Sequence, residues 1–278
     1  SGAACRPFLE WMAAAEGLVM GLLAVGVCTL AVWIVRRLVF RAKFTLADAP
    51  GRPNALTPVH VLVPLIACIA AGALAASALE GVYGDADAMP LQALVAVTAQ
   101  VFLLAASLAV AAAAFRYGLR RGMGLTARHW LFDTARGLVA FLAVFPVCTG
   151  LYLLMLRLLP KRPDQVHWML RALQAQDLPT GWKVLVAVSA VVLAAVSEEL
   201  FYRGLVQSML RRYLGRPWLA VLVTSALFAG LHQIPQDMPA LFALALAMGY
   251  NYERCGRLYP AMLVHALFNG VNIALVLL

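Results

Sequence analysis

Charge is scarce in this sequence. Only 13% of its 278 residues are Asp, Glu, Lys or Arg, while 63% are hydrophobic, and the mean hydropathy is +0.84. A soluble domain carries about a quarter charged residues, so a soluble globular fold is excluded and lipid must solvate much of the chain. Cysteine is also sparse. Cys5, Cys28, Cys68, Cys148 and Cys255 form no CxxC pair, and three of them sit inside apolar runs. That excludes a disulfide framework and a zinc–thiolate site, and leaves them as small apolar residues in helices. There is no Gly-rich nucleotide loop, no HExxH and no GxSxG, so the common zincin and nucleophile-elbow signatures are missing. Internal repeats and low-complexity tracts are absent too. The net charge of +9 does not imply nucleic acid, because the basic residues stand in short runs between apolar stretches, as in cytoplasmic loops of membrane proteins.

Apolar stretches are what the chain has in abundance. A spanning helix needs about 20 mostly apolar residues, and eight segments approach that. They are Gly17–Val35, about Val59–Leu79, about Leu91–Phe115, Gly137–Leu156, Val184–Leu210, Trp218–His232, Leu241–Tyr252 and Ala261–Leu278. No charged n-region precedes the first, which reads as a span and not a signal peptide. The pattern predicts an all-α, polytopic transmembrane helical bundle of about eight spans. Gln165–Gln176 is expected to form a short interfacial helix, with Trp168 and Trp182 at headgroup level. The loops after the first and third spans carry five basic residues each, and the loop between them carries none. Both basic loops are therefore expected in the cytoplasm and both termini outside. The 157–183 segment opposes this, since it should lie outside yet holds Arg157, Lys161, Arg162, Arg171 and Lys183.

Ionisable side chains at bilayer depth are costly and mark function by default. Glu198, Glu199, Arg203, His232, His265 and Asn269 all fall in the last 81 residues, on three of the expected spans. Adjacent Glu198 and Glu199 point about 100° apart on a helix. Arg203 lies four residues after Glu199, a spacing that suits an ion pair and leaves Glu198 to face a cavity. The bland alternative is that both carboxylates pair with Arg203 and neighbouring helices. His232 shares a face with Phe228, and His265 shares one with Asn269 and Asn272. Each of these pairs would also serve as packing or hydrogen-bonded helix glue. Depth favours a common site: Glu198 and His232 both lie about 20 Å from the basic boundary. His265 is only about 12 Å in by the same rise per residue, so tilt or an irregular stretch near Tyr259–Pro260 is needed to bring it level.

A carboxylate and an imidazole around one water make a general base, with or without a metal. A second His with an Asn supplies donors where an oxyanion develops in acyl transfer. The set suits amide hydrolysis better than hydride or phosphoryl transfer.

Glu198-Glu199-Leu-Phe-Tyr-Arg203-Gly204 resembles the EExxxRG motif of the CPBP intramembrane proteases. These include type II CAAX prenyl endopeptidases, bacteriocin-processing proteins and abortive-infection-type proteins. Phe228–His232 is similar to the second family motif, FxxxH, and His265–Asn269 to the third, HxxxN. Gly249, Tyr252, Arg254, Gly256, Leu258 and Pro260 follow the usual order between them. The resemblance covers about 184–278. It implies an all-helical membrane protease in which Glu198 and His232 activate water and His265 and Asn269 stabilise the oxyanion. Glu199 and Arg203 would support the site. Zinc and metal-free glutamate chemistry both stay open: Glu198, His232 and His265 would make a three-ligand zinc site, but Glu198 as a ligand would then leave another base to be found.

The expected organisation is an N-terminal transmembrane region of about three spans over 1–136, matching nothing named, and a membrane-embedded protease region over 137–278 with its motif-bearing core at 184–278. The expected activity is hydrolysis of a peptide bond in a membrane-associated peptide or protein within the bilayer. One alternative is a non-catalytic immunity or scaffold protein of the same fold, against which all six motif residues are intact. The other is a proton- or metal-coupled transporter, which calls for polar residues on more spans and internal repeats. Richness in Arg and Ala without a eukaryotic targeting signal points to a bacterial inner membrane and away from prenylated substrates.

Overall fold

The computed structural model describes residues 5–39, 46, 52–83, 88–159, 168–232 and 234–277; side chains of the first helix are described from 16 to 36. Among the described residues the chain forms nine long or short α-type helices and a separate π turn at Gly118–Met123, and its only β pairing is the isolated bridge between Asn54 and Phe115. The helices are α1 (Cys5–Val39), α2 (Pro58–Tyr83), α3 (Met89–Ala114), α4 (Trp130–Leu158), α5 (Trp168–Gln174), α6 (Thr180–Leu214), α7 (Pro217–Gly230), α8 (Met238–Cys255) and α9 (Tyr259–Leu277). All eight expected spans fall on helices. The expected interfacial helix is α5, although residues 165–167 of its predicted start lie outside the described residues, as do Asp85, Asp87, Lys161 and Arg162.

Six of these helices (α1, α2, α3, α4, α6 and α9) are long and apolar enough to cross a bilayer. The remaining two predicted spans, α7 and α8, form a hairpin. With 14 residues, α7 reaches only about 21 Å at 1.5 Å per residue, short of a hydrocarbon core about 30 Å thick. The hairpin enters and leaves from one end of the bundle. Counting it as two spans or as one re-entrant hairpin therefore leaves the orientation of α9 unchanged. Its turn, around His232, reaches the far end of α4, where Gln236 Nε2 donates to Leu159 O (3.1 Å).

Helices solvated by lipid on one side associate through small residues and close packing. The α2–α3 pair meets at Ala71 and Gly72, and a Cβ on Gly72 would stand 3.5 Å from Ala99. Against α4, α1 fits so closely at Gly26 that a Cβ there would lie 2.6 Å from the Leu142 carbonyl oxygen. The interior is built by α4, α6, α7, α8 and α9 around Phe141, Phe145, Leu205, Phe228, Leu244 and Met248.

One end of the bundle is knitted together by polar contacts. Ala55 N–H donates to Ala114 O (2.7 Å) and Arg116 N–H to Pro53 O (3.3 Å). Arg52 Nη1 donates to Arg121 O and Gly122 O, and Arg212 Nη1 to Leu56 O. Leu258 N–H reaches Gly124 O (3.4 Å). Gly124 has φ +85°, and a side chain there would overlap the Gly256 carbonyl, so only glycine permits this closure. Arg257 holds the buried Asp133 of α4 with two bonds of 2.5 and 2.6 Å. The loops after α1, α3, α6 and α8 thus share one end, and it is the Arg-rich one. Cysteines placed singly at Arg52 and Arg128, in a chain otherwise free of cysteine, are expected to react with an impermeant thiol reagent only from the cytoplasmic side. Reaction from outside would reverse the orientation.

Candidate active site

The site is carried by α6, which is not a uniform helix. Over Ser189–Ala194 and Leu200–Gln207 its turns widen to i→i+5 bonding, on either side of the regular turn Ala195–Glu199. Such π turns are rare and recur at functional sites. They disturb the carbonyl ladder, and side chains take up the disturbed groups. Asn269 Nδ2 donates to Ala190 O (2.8 Å), and Ser208 Oγ to Arg203 O (3.2 Å).

Glu199 is wholly buried, and its Oε1 is a hub. Arg203 Nη1 donates to it at 2.8 Å, the ion pair expected from the i,i+4 spacing, and His265 Nδ1 lies 3.0 Å away. With Arg203 donating to the same oxygen, Glu199 Oε1 serves as an acceptor and Nδ1 as the donor to it. The His265 Nε2 lone pair is thereby exposed on the opposite edge of the ring. That edge faces Glu198, whose Oε2 is 4.0 Å from Nε2. Glu198 keeps 23% of its side chain exposed, yet its Oε2 is buried without a hydrogen-bond partner. Arg203 also reaches Ala245 O (3.3 Å) and the face of Phe228, 4.9 Å to the ring centre.

Phe228, fully buried, is the centre of the second motif. Its ring lies 5.7 Å from that of His265, edge-on, and 4.7 Å from that of His232. His232 Nδ1 is 2.7 Å from Phe228 O. His232 thus stands across an aromatic ring from His265, and the imidazole beside Glu198 is that of His265. Asn269 sits one turn beyond His265 and uses one amide proton on Ala190 O; an amide has two. Asn272 bonds its own helix at Phe268 O and is exposed. His265 comes level with Glu199 because the inner loops do not end where α6 ends. Ser208 Oγ is 3.3 Å from Tyr252 Oη, which donates to Met123 O, next to Gly124, where Leu258 is anchored. Glu199 is nine residues inward from Ser208 and His265 is seven inward from Leu258, so the last turns of α6 simply overhang.

Glu198, His232 and His265 do not converge as a three-ligand metal set. Among the described residues no group of three or more His, Cys, Asp or Glu is close enough to hold an ion. Two polar groups the motifs do not include belong to this neighbourhood. Gln207 Nε2 donates to Gly249 O (3.1 Å) and to Glu253 Oε1 (2.9 Å), with Gln207 fully buried. The signal was present as a four-residue repeat, Glu199, Arg203, Gln207, Arg211.

The fold and this site define an integral membrane protein of the all-helical kind, with a carboxylate–imidazole–guanidinium cluster buried at bilayer depth. Residues 180–271, about a third of the chain, match the family model described as type II CAAX prenyl endopeptidase Rce1-like. The match spans all three motifs. No curated protein and no solved structure matches the chain.

Proposed function

We propose that this protein is an intramembrane endopeptidase that cleaves a peptide bond of a membrane-associated peptide or protein, acting through a water activated by Glu198 without an obligatory metal. The observation that carries this reading is the facing pair Glu198 Oε2 and His265 Nε2, 4.0 Å apart, with the far side of His265 locked on Glu199. A gap of that size between two acceptors is one a water fills by donating to both. Glu198 takes a proton as the water oxygen attacks the scissile carbonyl, and delivers it to the departing amine. His265 orients the water. The remaining Asn269 N–H, with His232 across Phe228, is the source of donors for the tetrahedral oxyanion. Residues 137–278 form the proposed protease region, and 1–136 its membrane support. A bacterial inner membrane is the proposed location.

Substrate trapping tests the activity. Membranes expressing Glu198→Ala are expected to accumulate a full-length protein or peptide that the unaltered chain converts to a shorter product. Identical membrane peptide profiles would overturn the proposal. A trapped protein with a prenylated C-terminal cysteine would place the substrate with the family's name; any other identifies a different membrane peptide.

Loss of one oxyanion donor costs on the order of 100- to 1000-fold in turnover. Asn269→Ala is expected to lower kcat by that order with little change in KM, since the donor acts in the transition state. If Asn269 only ties α9 to Ala190, the variant will melt earlier and keep its turnover per folded molecule. Thermal unfolding and kcat measured on the same preparation separate the two.

A further inference from the structure

The four-residue repeat on α6 continues past the site. Arg203 Nη2 reaches Ala245 O, Gln207 Nε2 reaches Gly249 O and Glu253, and Arg211 Nε lies 3.8 Å from Glu253 Oε2. On α8 the partners 245, 249 and 253 repeat at the same interval. A four-residue repeat creeps round an α-helix with 3.6 residues per turn. The wide turns over Leu200–Gln207 hold it on one face, so a continuous polar seam runs between α6 and α8 from Glu199 to the Arg-rich end.

This seam is not self-sufficient. Glu199 Oε2, Arg203 Nε, Gln207 Oε1 and Arg211 Nε are all buried without a hydrogen-bond partner. Leaving such a group unpaired is costly, and buried polar groups that proteins do not pair directly are met by ordered water. These four atoms come from successive positions of one stripe. At its outer end lies a cavity of about 10 Å³ lined by Arg52, Asn54, Ser208, Arg211, Tyr252 and Glu253, roughly the space one water needs.

We propose that the α6–α8 seam is a hydrated file through which the water consumed in each cleavage reaches Glu198 from the Arg-rich end, with Gln207 as the residue that positions it midway. The delivery role rests on the hydrolytic reading above; the existence of the file does not. Each cleavage consumes one water, and the seam offers a polar route along which it is replaced.

A structure of the full chain in nanodiscs, resolved well enough to show ordered solvent, is expected to contain waters bonded to Glu199 Oε2, Arg203 Nε and Gln207 Oε1. A seam closed by protein atoms alone would overturn the file, whatever the protein's activity. The delivery role is read from two variants. Gln207→Met keeps the volume and removes the polar atoms; it is expected to slow cleavage about tenfold or more, some 1.4 kcal/mol in barrier. Gln207→Asn is too short to hold both Gly249 O and Glu253 but leaves polar room for water; it is expected to cleave near the original rate. Equal loss in both variants would make Gln207 a structural tie and overturn delivery through it, as would no loss in either. A hydrated seam in a chain that cleaves nothing would retain the file and fail the hydrolytic reading instead.

Discussion

Glu198→Gln is expected to abolish cleavage while the protein remains folded. The substitution preserves shape and removes only the capacity to accept a proton, so the loss should be on the order of 10²- to 10⁴-fold, the usual contribution of a positioned general base. Folding should be spared because Glu198 carries no hydrogen bond at Oε2, and no ion pair except the 4.0 Å approach to His265. An amide at this position can still touch His265 but cannot deprotonate water. The assay compares turnover per folded molecule, with folding judged by thermal unfolding in the same detergent. Turnover within a few-fold of the original would remove Glu198 from the mechanism. The same assay addresses the metal. Only Glu198 and His265 converge at the reacting position, and His232 is turned onto Phe228, so turnover is expected to survive exhaustive chelation. Reversible loss on chelation, restored by about one equivalent of zinc, would require His232 to swing inward and complete a three-ligand site.

The second large effect is expected at Glu199, and it is one of stability. Glu199 and Arg203 are both fully buried, 2.8 Å apart. Removing one charge from a buried pair leaves the other uncompensated in low dielectric and costs about 3–5 kcal/mol. Glu199→Gln should therefore lower the unfolding midpoint sharply, although glutamine can still accept from His265 Nδ1. The penalty belongs to the orphaned guanidinium, which predicts its own remedy. Glu199→Gln combined with Arg203→Met should be more stable than Glu199→Gln alone, because replacing both members of a buried pair by neutral groups is often nearly neutral. If the double variant is no better, the buried charge is not the source of the loss. Arg203 also touches Ala245 O and Phe228, so recovery will be partial.

Glu198 and Glu199 thus differ in their contacts because of one geometric fact. Adjacent residues on a helix point about 100° apart, so Arg203 four residues on selects Glu199, and the two carboxylates meet only at opposite ring nitrogens of His265. The selection of Glu199 could be read from spacing, as could the pairing of His265 and Asn269 on one face of α9. What spacing could not supply was the relation between helices. Depth counted from Arg211 and Trp218 put Glu198 and His232 level, and counted from Arg257 left His265 short. In the fold His265 is the nearer imidazole, because the loop ending at Leu258 is anchored to Gly124 well inside the last turns of α6. The residues that served as depth markers, Arg211, Trp218 and Arg257, do not mark one plane.

Local composition and periodicity are properties of the chain, and they determined whatever depends on single helices. The scarcity of charge compelled a lipid solvent, and the apolar runs became the helices. The basic loops came together at one end, and the three motifs carried the family resemblance. Tertiary structure alone decided what depends on how helices meet. The α7–α8 hairpin packs its turn against the far end of α4, with Gln236 on Leu159 O, which no hydropathy count registers. The wide turns of α6 persist because Asn269 and Ser208, one on another helix and one a turn away, bond carbonyls that the i→i+4 ladder would otherwise use. The polar seam from Glu199 to Glu253 exists only where α6 lies against α8. Such features rest on contacts between residues far apart in sequence, and a one-dimensional pattern holds no record of which faces will be pressed together.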